Sequence, residues 1–204
     1  MSRGTRSEFY LCSLNCRWYA YSLLGKVFAI GLENGTRILT TTFDCFLRYL
    51  RNLQVLINKI ERATPEPDSL LSARLHPSML PLRNQIQITA NFPLRALCPL
   101  LNTAVVSFDN QARTFTDMQL QVAETIHYIE SHAGNISNTN VLIKDSAGSA
   151  TIEMPAMEYL NLFALPNFYF HFSMVYAIAR AEGIALTKGD FDGIHAYPTG
   201  FSFA

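Results

Sequence analysis

This sequence carries no net charge, with 16 basic residues against 16 acidic ones. It therefore lacks the long-range field that draws a protein to nucleic acid, and no nucleic-acid partner is expected. The five basic residues of the first 37 positions (Arg3, Arg6, Arg17, Lys26 and Arg37) outnumber Glu8 and Glu33, a local surplus too small to change that reading. Cysteine is scarce too, limited to Cys12, Cys16, Cys45 and Cys98. Only Cys12 and Cys16 are close, and their spacing of four is not the three of a redox motif or zinc knuckle. With no second metal-type pair and a chain long enough to need no disulfide staples, the four are read as buried thiols in a reducing, cytoplasmic setting.

A clean membrane-spanning run is missing as well. Phe9 to Leu32 is interrupted by Arg17 and Lys26. Tyr159 to Ala179 has no formal charge but holds Asn161, Pro166, Asn167, His171 and Ser173, a polar set costly to place in lipid. The second run is read as a central helix buried on most sides by its own protein, with no membrane partner. Residues 1–37 show no clean period and lack the compact basic start and small-residue cleavage site of a secretory signal. There is no internal repeat and no low-complexity tract.

What the chain does have is apolar material, 49% of 204 residues, enough for one substantial core. Phe43, Phe46, Leu47, Leu50, Leu53, Ile57 and Ile60 fall at helical spacing and predict a first amphipathic helix, which Pro65 and Pro67 end. Asp68 is placed to cap a short turn through Arg74. Pro81 is expected to open a second helix with Leu82, Ile86, Ala90 and Leu97 on its buried stripe. Pro93 should kink or break that helix near Asn91. Thr114 and Asp117 form an approximate capping box for a third helix on Phe115, Met118, Val122, Ile126 and Ile129. Val141 to Lys144 and Ala150 to Met154 read as a hairpin around Asp145-Ser146-Ala147-Gly148. Pro155 suits the first turn of a last helix that Pro166 bends and Gly183 stops. The fold expected is all-α: a four-helix bundle over residues 38–193 with a small β-hairpin before the last helix, an N-terminal extension over 1–37 and a tail over 194–204.

Bundles build their sites from side chains on facing helices. In the apolar last helix, Asn167 and His171 lie one turn apart on one face. Histidine near its unperturbed pKa is the natural acid or base at neutral pH. Tyr169 and Tyr176 can donate hydrogen bonds to a substrate carbonyl, and Gln87 and Asn91, one turn apart, can orient it. His171, Tyr169 and Asn167 are thus the catalytic candidates, and Gln87, Asn91 and Tyr176 the substrate-binding ones. Core polar groups satisfying one another is the competing reading. His76, His127, His132 and His195 fit surface or capping roles, and Lys188 and Asp190 fit a clasp for the tail.

Three strings carry a resemblance: Phe46-Leu47-Arg48-Tyr49-Leu50-Arg51-Asn52-Leu53, Gln85-Ile86-Gln87-Ile88, and Leu165-Pro166-Asn167-Phe168-Tyr169-Phe170-His171. With Ala177 to Arg180 and Gly189-Asp190-Phe191, they resemble a bacterial and fungal family of unknown function within the DinB/YfiT-like putative metalloenzyme superfamily. The resemblance covers about residues 40 to 193. It implies a four-helix bundle, often a homodimer, whose superfamily relatives hold a divalent metal with one histidine from the second helix and two from the last. The matching positions here are Asn91, Asn167 and His171, so one imidazole and two neutral amides would have to do the work of three histidines, and such a set holds zinc or nickel feebly. No cofactor is expected, a divalent metal being the alternative.

Three functions follow as expectations. The first is a metal-independent lyase or isomerase using His171 as acid or base on a small hydrophobic or aromatic substrate. Dehydration or rearrangement of a polyketide-like intermediate is one form, suggested by fungal relatives that occur beside natural-product genes. The second is the superfamily's metal-dependent thiol transferase or hydrolase chemistry. The third is a non-catalytic binding or interaction module. Removing residues 1–37 is expected to leave the helical circular-dichroism signal and melting temperature in place; a collapsed signal would show that they complete the core.

Overall fold

The structure is a computed structural model, and it describes residues 41–109, 111, 113–136, 139–198, 200 and 201. The extension over 1–37, with Cys12, Cys16 and the Phe9 to Leu32 run, lies outside the described residues. Four long helices form the bundle: α1 over residues 41–62, α3 over Leu82–Leu100, α4 over Phe115–His132, and a last helix running Ala156–Ala181. A short α2, Pro67–Leu70, lies between the first two, and a short α7, Lys188–Asp192, follows the last. Strands β1 (Leu142–Ala147) and β2 (Ala150–Pro155) form an antiparallel hairpin just before the last helix.

The expected stripe of α1 is buried at Phe43, Phe46, Leu50, Leu53, Ile57 and Ile60, because residues three and four apart share one helix face. That face meets the last helix through Phe46 and Phe168, whose rings stand edge to face with centroids 5.0 Å apart. On the other side α1 ties to α4, where Gln119 Nε2 donates to the Gln54 carbonyl at 3.3 Å.

α3 packs against both α4 and the last helix and is buried almost all round, from Leu82 to Leu100. It takes the central place expected for the last helix, which instead buries one stripe through Phe168, Phe172, Val175 and Ala179 and exposes Leu162 and Phe170. Of the kink or break expected near Asn91, the break does not occur, and α3 continues through Pro93 and Pro99. A proline inside a helix costs about 3 kcal/mol, and Phe92, Leu94 and Leu97 recover it by packing beside buried Pro93. Pro81 takes the N-cap place rather than the first turn.

The capping box of α4 forms as read: Thr114 Oγ1 accepts from Asp117 N at 3.1 Å, and Asp117 Oδ2 accepts from Thr114 N at 2.9 Å. Backbone N–H bonds from Arg113 and then Thr114, with the Thr114 hydroxyl, hold the Asp117 carboxyl below its usual range. Asp68 does not cap its own turn, where Glu66 holds the N-cap place; its carboxylate crosses to α4 and accepts from Phe115 N at 3.1 Å. A carboxylate is favoured there because the first turn of a helix presents unpaired N–H groups.

In the hairpin the turn is Gly148-Ser149, later than expected, with Gly148 at φ 62 in the left-handed region. Asp145 and Ser146 therefore lie in β1, paired with Ile152 and Thr151. The last helix opens with α5, Ala156–Glu158, widens into a π-helical turn over Tyr159–Ala164, and continues as α6, Leu165–Ala181. Pro166 has no N–H for the Leu162 carbonyl, and the helix widens in the turn just before it. Gly183, at φ 84, stops the helix as expected. By length and composition Ala156–Ala181 is apolar enough to cross a membrane, with a third of its most apolar window buried.

α7 closes the bundle. Lys59 Nζ meets Asp190 Oδ1 at 2.7 Å, Asn52 Nδ2 donates to the Phe191 carbonyl at 3.3 Å, and the Phe191 ring stacks on Phe172 at 4.5 Å. Asp190 thus clasps α7 to α1, while Lys188 borders a shallow depression with Ser173, Tyr176 and Phe191. A Cβ on Gly189 would lie 2.0 Å from the His195 carbonyl oxygen, so no side chain fits there. Gly189→Ala should lower stability by about 1 to 3 kcal/mol, the scale of overpacking. Urea unfolding measures it, and an unchanged midpoint would show that the tail after Gly193 moves aside freely.

Candidate functional site

His171 projects from α6 toward α3, where its Nδ1 lies 2.7 Å from Gln85 Oε1. An amide oxygen only accepts, so Nδ1 carries the proton and Nε2 keeps its lone pair. Gln85 is buried and anchored in turn, its Nε2 donating to the Leu80 carbonyl at 3.2 Å. The imidazole stacks on Phe92 with centroids 5.9 Å apart, and the Phe170 ring stands edge-on at 5.1 Å. Burial, and then the positive charge of Arg95, lower the His171 pKa to about 4. The premise of an unperturbed histidine is thereby corrected: this one is neutral throughout the physiological range.

Arg95 follows Phe92 by three residues, so both share the face of α3 turned to the last helix. Its guanidinium lies over Phe92 at 4.6 Å and Phe163 at 5.6 Å, where the ring faces attract a cation. Arg95 Nε donates to Asp145 Oδ2 at 2.8 Å and Nη2 to the Ser146 carbonyl at 2.7 Å. Tyr159, from the π turn, donates its hydroxyl to the same carboxylate oxygen. Burial acts to raise the Asp145 carboxyl, but bonds from Arg95, Tyr159 and the Ser146 N–H outweigh it and hold the group below its usual range. Burial and the Asp145 charge push the Tyr159 hydroxyl well above its usual range. Arg95, Asp145 and Tyr159 thus form a closed polar cluster beside the His171 wall.

The candidates read from the sequence do not all gather here. Asn167 shares the His171 side of α6 but donates Nδ2 to the Phe163 carbonyl at 2.7 Å, one turn back. Tyr169, about 200° round the helix from His171, faces α1, edge to face with Tyr49 at 5.0 Å. Burial and the neighbouring Cys45 thiol push its hydroxyl up. Tyr176 lies against Phe191, at 6.3 Å. Gln87 and Asn91 point from α3 toward α4 and the loop before it: Gln87 Nε2 donates to Asp109 Oδ1 at 2.8 Å, and Asn91 Oδ1 accepts from Ser107 Oγ at 3.2 Å and Gln121 Nε2 at 3.3 Å.

Four other readings are also placed. Cys98 is buried, whereas Cys45 is only half-buried. His76 Nδ1 accepts from Ser78 N at 3.2 Å in its loop, and His132 Nδ1 lies 2.9 Å from the Tyr128 carbonyl at the end of α4. His195 Nδ1 lies 2.5 Å from Asp192 Oδ2. Asp192 also takes backbone N–H bonds from His195 and Ile194, which together lower its pKa to about 2 against the effect of burial.

The ligand set implied by the resemblance does not fit a divalent metal. Asn91 Oδ1 is turned to α4, the Asn167 amide is spent on its own helix, and the α3 residue that meets His171 is Gln85. The charge that acts on His171 is the cation Arg95, which opposes a second positive ion. No group of three His, Cys, Asp or Glu side chains is placed to hold a metal among the described residues.

The sequence reading missed Gln85, Phe92, Arg95, Asp145 and Tyr159. One signal was available, since Arg95 is the only charged residue between Arg83 and Asp109. A lone charge inside an apolar helix demands a partner.

Comparison with known proteins agrees with this architecture. The crystal structure of a DinB family member from Shewanella denitrificans superposes with a TM-score of 0.70 at 23% identity, over 82% of this chain and 98% of that one. No curated protein matches the chain. A family model described as a domain of unknown function, DUF1993, matches residues 38–192. The chain belongs to this DUF1993 family, a family of unknown function, and shares its fold with the DinB family member.

Proposed function

We propose that the protein is a metal-independent enzyme of the lyase or isomerase type, acting on a small hydrophobic or aromatic substrate with His171 as its proton carrier. The observation that carries this reading is the bond from His171 Nδ1–H to Gln85 Oε1, which leaves Nε2 as a bare acceptor in an aromatic wall. In a dehydration, Nε2 takes the proton from the carbon beside a carbonyl, and the electron pair released forms the carbon–carbon double bond. The β-hydroxyl then leaves as water with the proton handed back by the imidazolium. An imidazolium with a pKa of about 4 is a strong donor, so the return step is favoured and the resting histidine is unprotonated. A 1,3-proton shift uses the same two transfers.

The pH dependence tests the proton carrier directly. Activity should persist as pH falls through 6.5 and decline only near the His171 pKa of about 4. An acid limb near the ordinary histidine value, on kcat/KM for the free enzyme, would contradict the assignment.

A second reading is supported by the saturation of the site's neighbours: Gln85, Asn167 and the Arg95 cluster all find partners inside the protein. On that reading the site binds without reacting, and His171 is a positioned acceptor. The metal-dependent transferase or hydrolase reading has the least support, for want of ligands. A cytoplasmic homodimer is the setting proposed, with free thiols Cys45 and Cys98 suiting a reducing compartment and exposed Leu162 and Phe170 suiting a subunit contact. Sedimentation of the purified chain decides the oligomer.

A further inference from the structure

The outer side of α4 carries a different kind of site. Glu124, His127, Tyr128 and Ser131 recur at helical spacing along one face, and Phe108 from the preceding loop leans over Tyr128 with ring centroids 5.9 Å apart. Together with His132, whose ring stacks on Tyr128 at 4.2 Å, they line an open groove of about 460 Å³. No residue of this groove belongs to the His171 site.

The Glu124 Oε2 atom is buried at the groove and has no hydrogen-bond partner among the described residues. Within the same turn of α4, Gln121 Oε1 and Thr125 Oγ1 are likewise buried and unpartnered, on side chains 1% and 0% exposed. All three atoms can accept a hydrogen bond, but only Glu124 lines the groove, and among the described residues no lysine or arginine lines it. Ordered water can serve the neutral amide and hydroxyl. A carboxylate oxygen out of water without a counter-charge is far more costly and calls for a cation with N–H donors. The aromatic faces of Phe108 and Tyr128 favour the same sign of charge.

We propose that this groove binds a primary organic ammonium ion, its N–H groups directed to Glu124 and its apolar body against Phe108 and Tyr128. The Ser131 hydroxyl and the His127 imidazole supply further acceptors for the remaining N–H groups. Glu124, His127 and His132 all line the groove, but no three such side chains among the described residues are grouped to hold one metal ion, and a metal has no use for the aromatic wall.

The test uses the full chain with phenethylammonium chloride and its neutral counterpart 2-phenylethanol, followed by NMR shifts and calorimetry. The ammonium should perturb Phe108, Glu124 and Tyr128 and bind at least about tenfold more tightly than the alcohol, as a charge-assisted hydrogen bond requires. Glu124→Gln should remove that preference while leaving the unliganded protein as stable as before or more so, because it replaces a carboxylate one of whose oxygens is buried without a partner. Equal binding of amine and alcohol would overturn the proposal. So would ammonium binding that survives Glu124→Gln, the absence of any binding, or Zn²⁺ displacing the amine through Glu124 and His127. A Glu124→Gln protein that loses stability would also overturn it, by showing that the carboxylate has a structural partner.

Discussion

His171→Gln should lower turnover of a substrate of this site by about 100-fold or more, the usual loss when a positioned acid or base is removed. Stability should change little near neutral pH, since glutamine keeps most of the volume and can still meet the Gln85 amide. The loss should fall on kcat and kcat/KM alike, because proton transfer belongs to the transition state. A large loss of stability with unchanged turnover would assign His171 to the core alone. The pH dependence of folding gives a second reading of the same residue. Its pKa is about 4 in the folded chain and about 6.5 when unfolded. The unfolded state therefore binds more protons between those values, and stability falls as pH drops through that window. The fall should be smaller in His171→Gln; urea midpoints across the window measure it.

Arg95→Met should be the most destabilising single change near the site, costing about 2 to 3 kcal/mol. Breaking a fully buried ion pair costs roughly 3 to 5 kcal/mol, and this one is reduced by partial solvent access. Side-chain exposures of 24% for Arg95 and 17% for Asp145 justify that reduction. The variant leaves Asp145 with Tyr159 and a backbone N–H but no cation, and it strips the guanidinium from the faces of Phe92 and Phe163. It should also raise the His171 pKa, because one of the two causes lowering it is gone. Replacing Asp145 by Leu in the same chain should recover part of the stability, whereas additive losses would show that the two residues act separately. An Arg95→Met protein with unchanged stability and an unmoved His171 titration would dissolve the link between the polar cluster and the histidine.

The bundle was legible because its signals are local. The stripe from Phe43 to Ile60, the Thr114–Asp117 box and the glycine after Arg180 each act within a few residues, and the structure keeps all three. The errors arose where a local rule met tertiary packing. Pro93 does not break α3, because the core on every side of it outweighs one lost hydrogen bond. Asp68 looked like a cap for its own turn and instead caps a helix 47 residues away, a pairing no spacing rule encodes.

The site was half legible for the same reason. His171 stands out as the one imidazole in a long apolar helix, and Gln85 and Gln87 lie in one short motif, two residues apart. On a helix those two residues point to nearly opposite sides, and only the relative rotation of α3 and α6 decides which one meets the histidine. Asp145 depends on a hairpin turn that formed two residues later than read. Tyr159 depends on a π turn without a strong sequence mark.

The proposed role of His171 turns on one proton on one ring, and ¹⁵N-detected NMR titration of the imidazole nitrogens of the full chain locates it without any substrate. From neutral pH downward, His171 should show a protonated Nδ1 and a bare Nε2, titrating only near pH 4. Gln85→Leu should scramble that tautomer. A ring protonated on Nε2 at neutral pH, or one that titrates at the ordinary histidine value in the folded protein, would contradict the account.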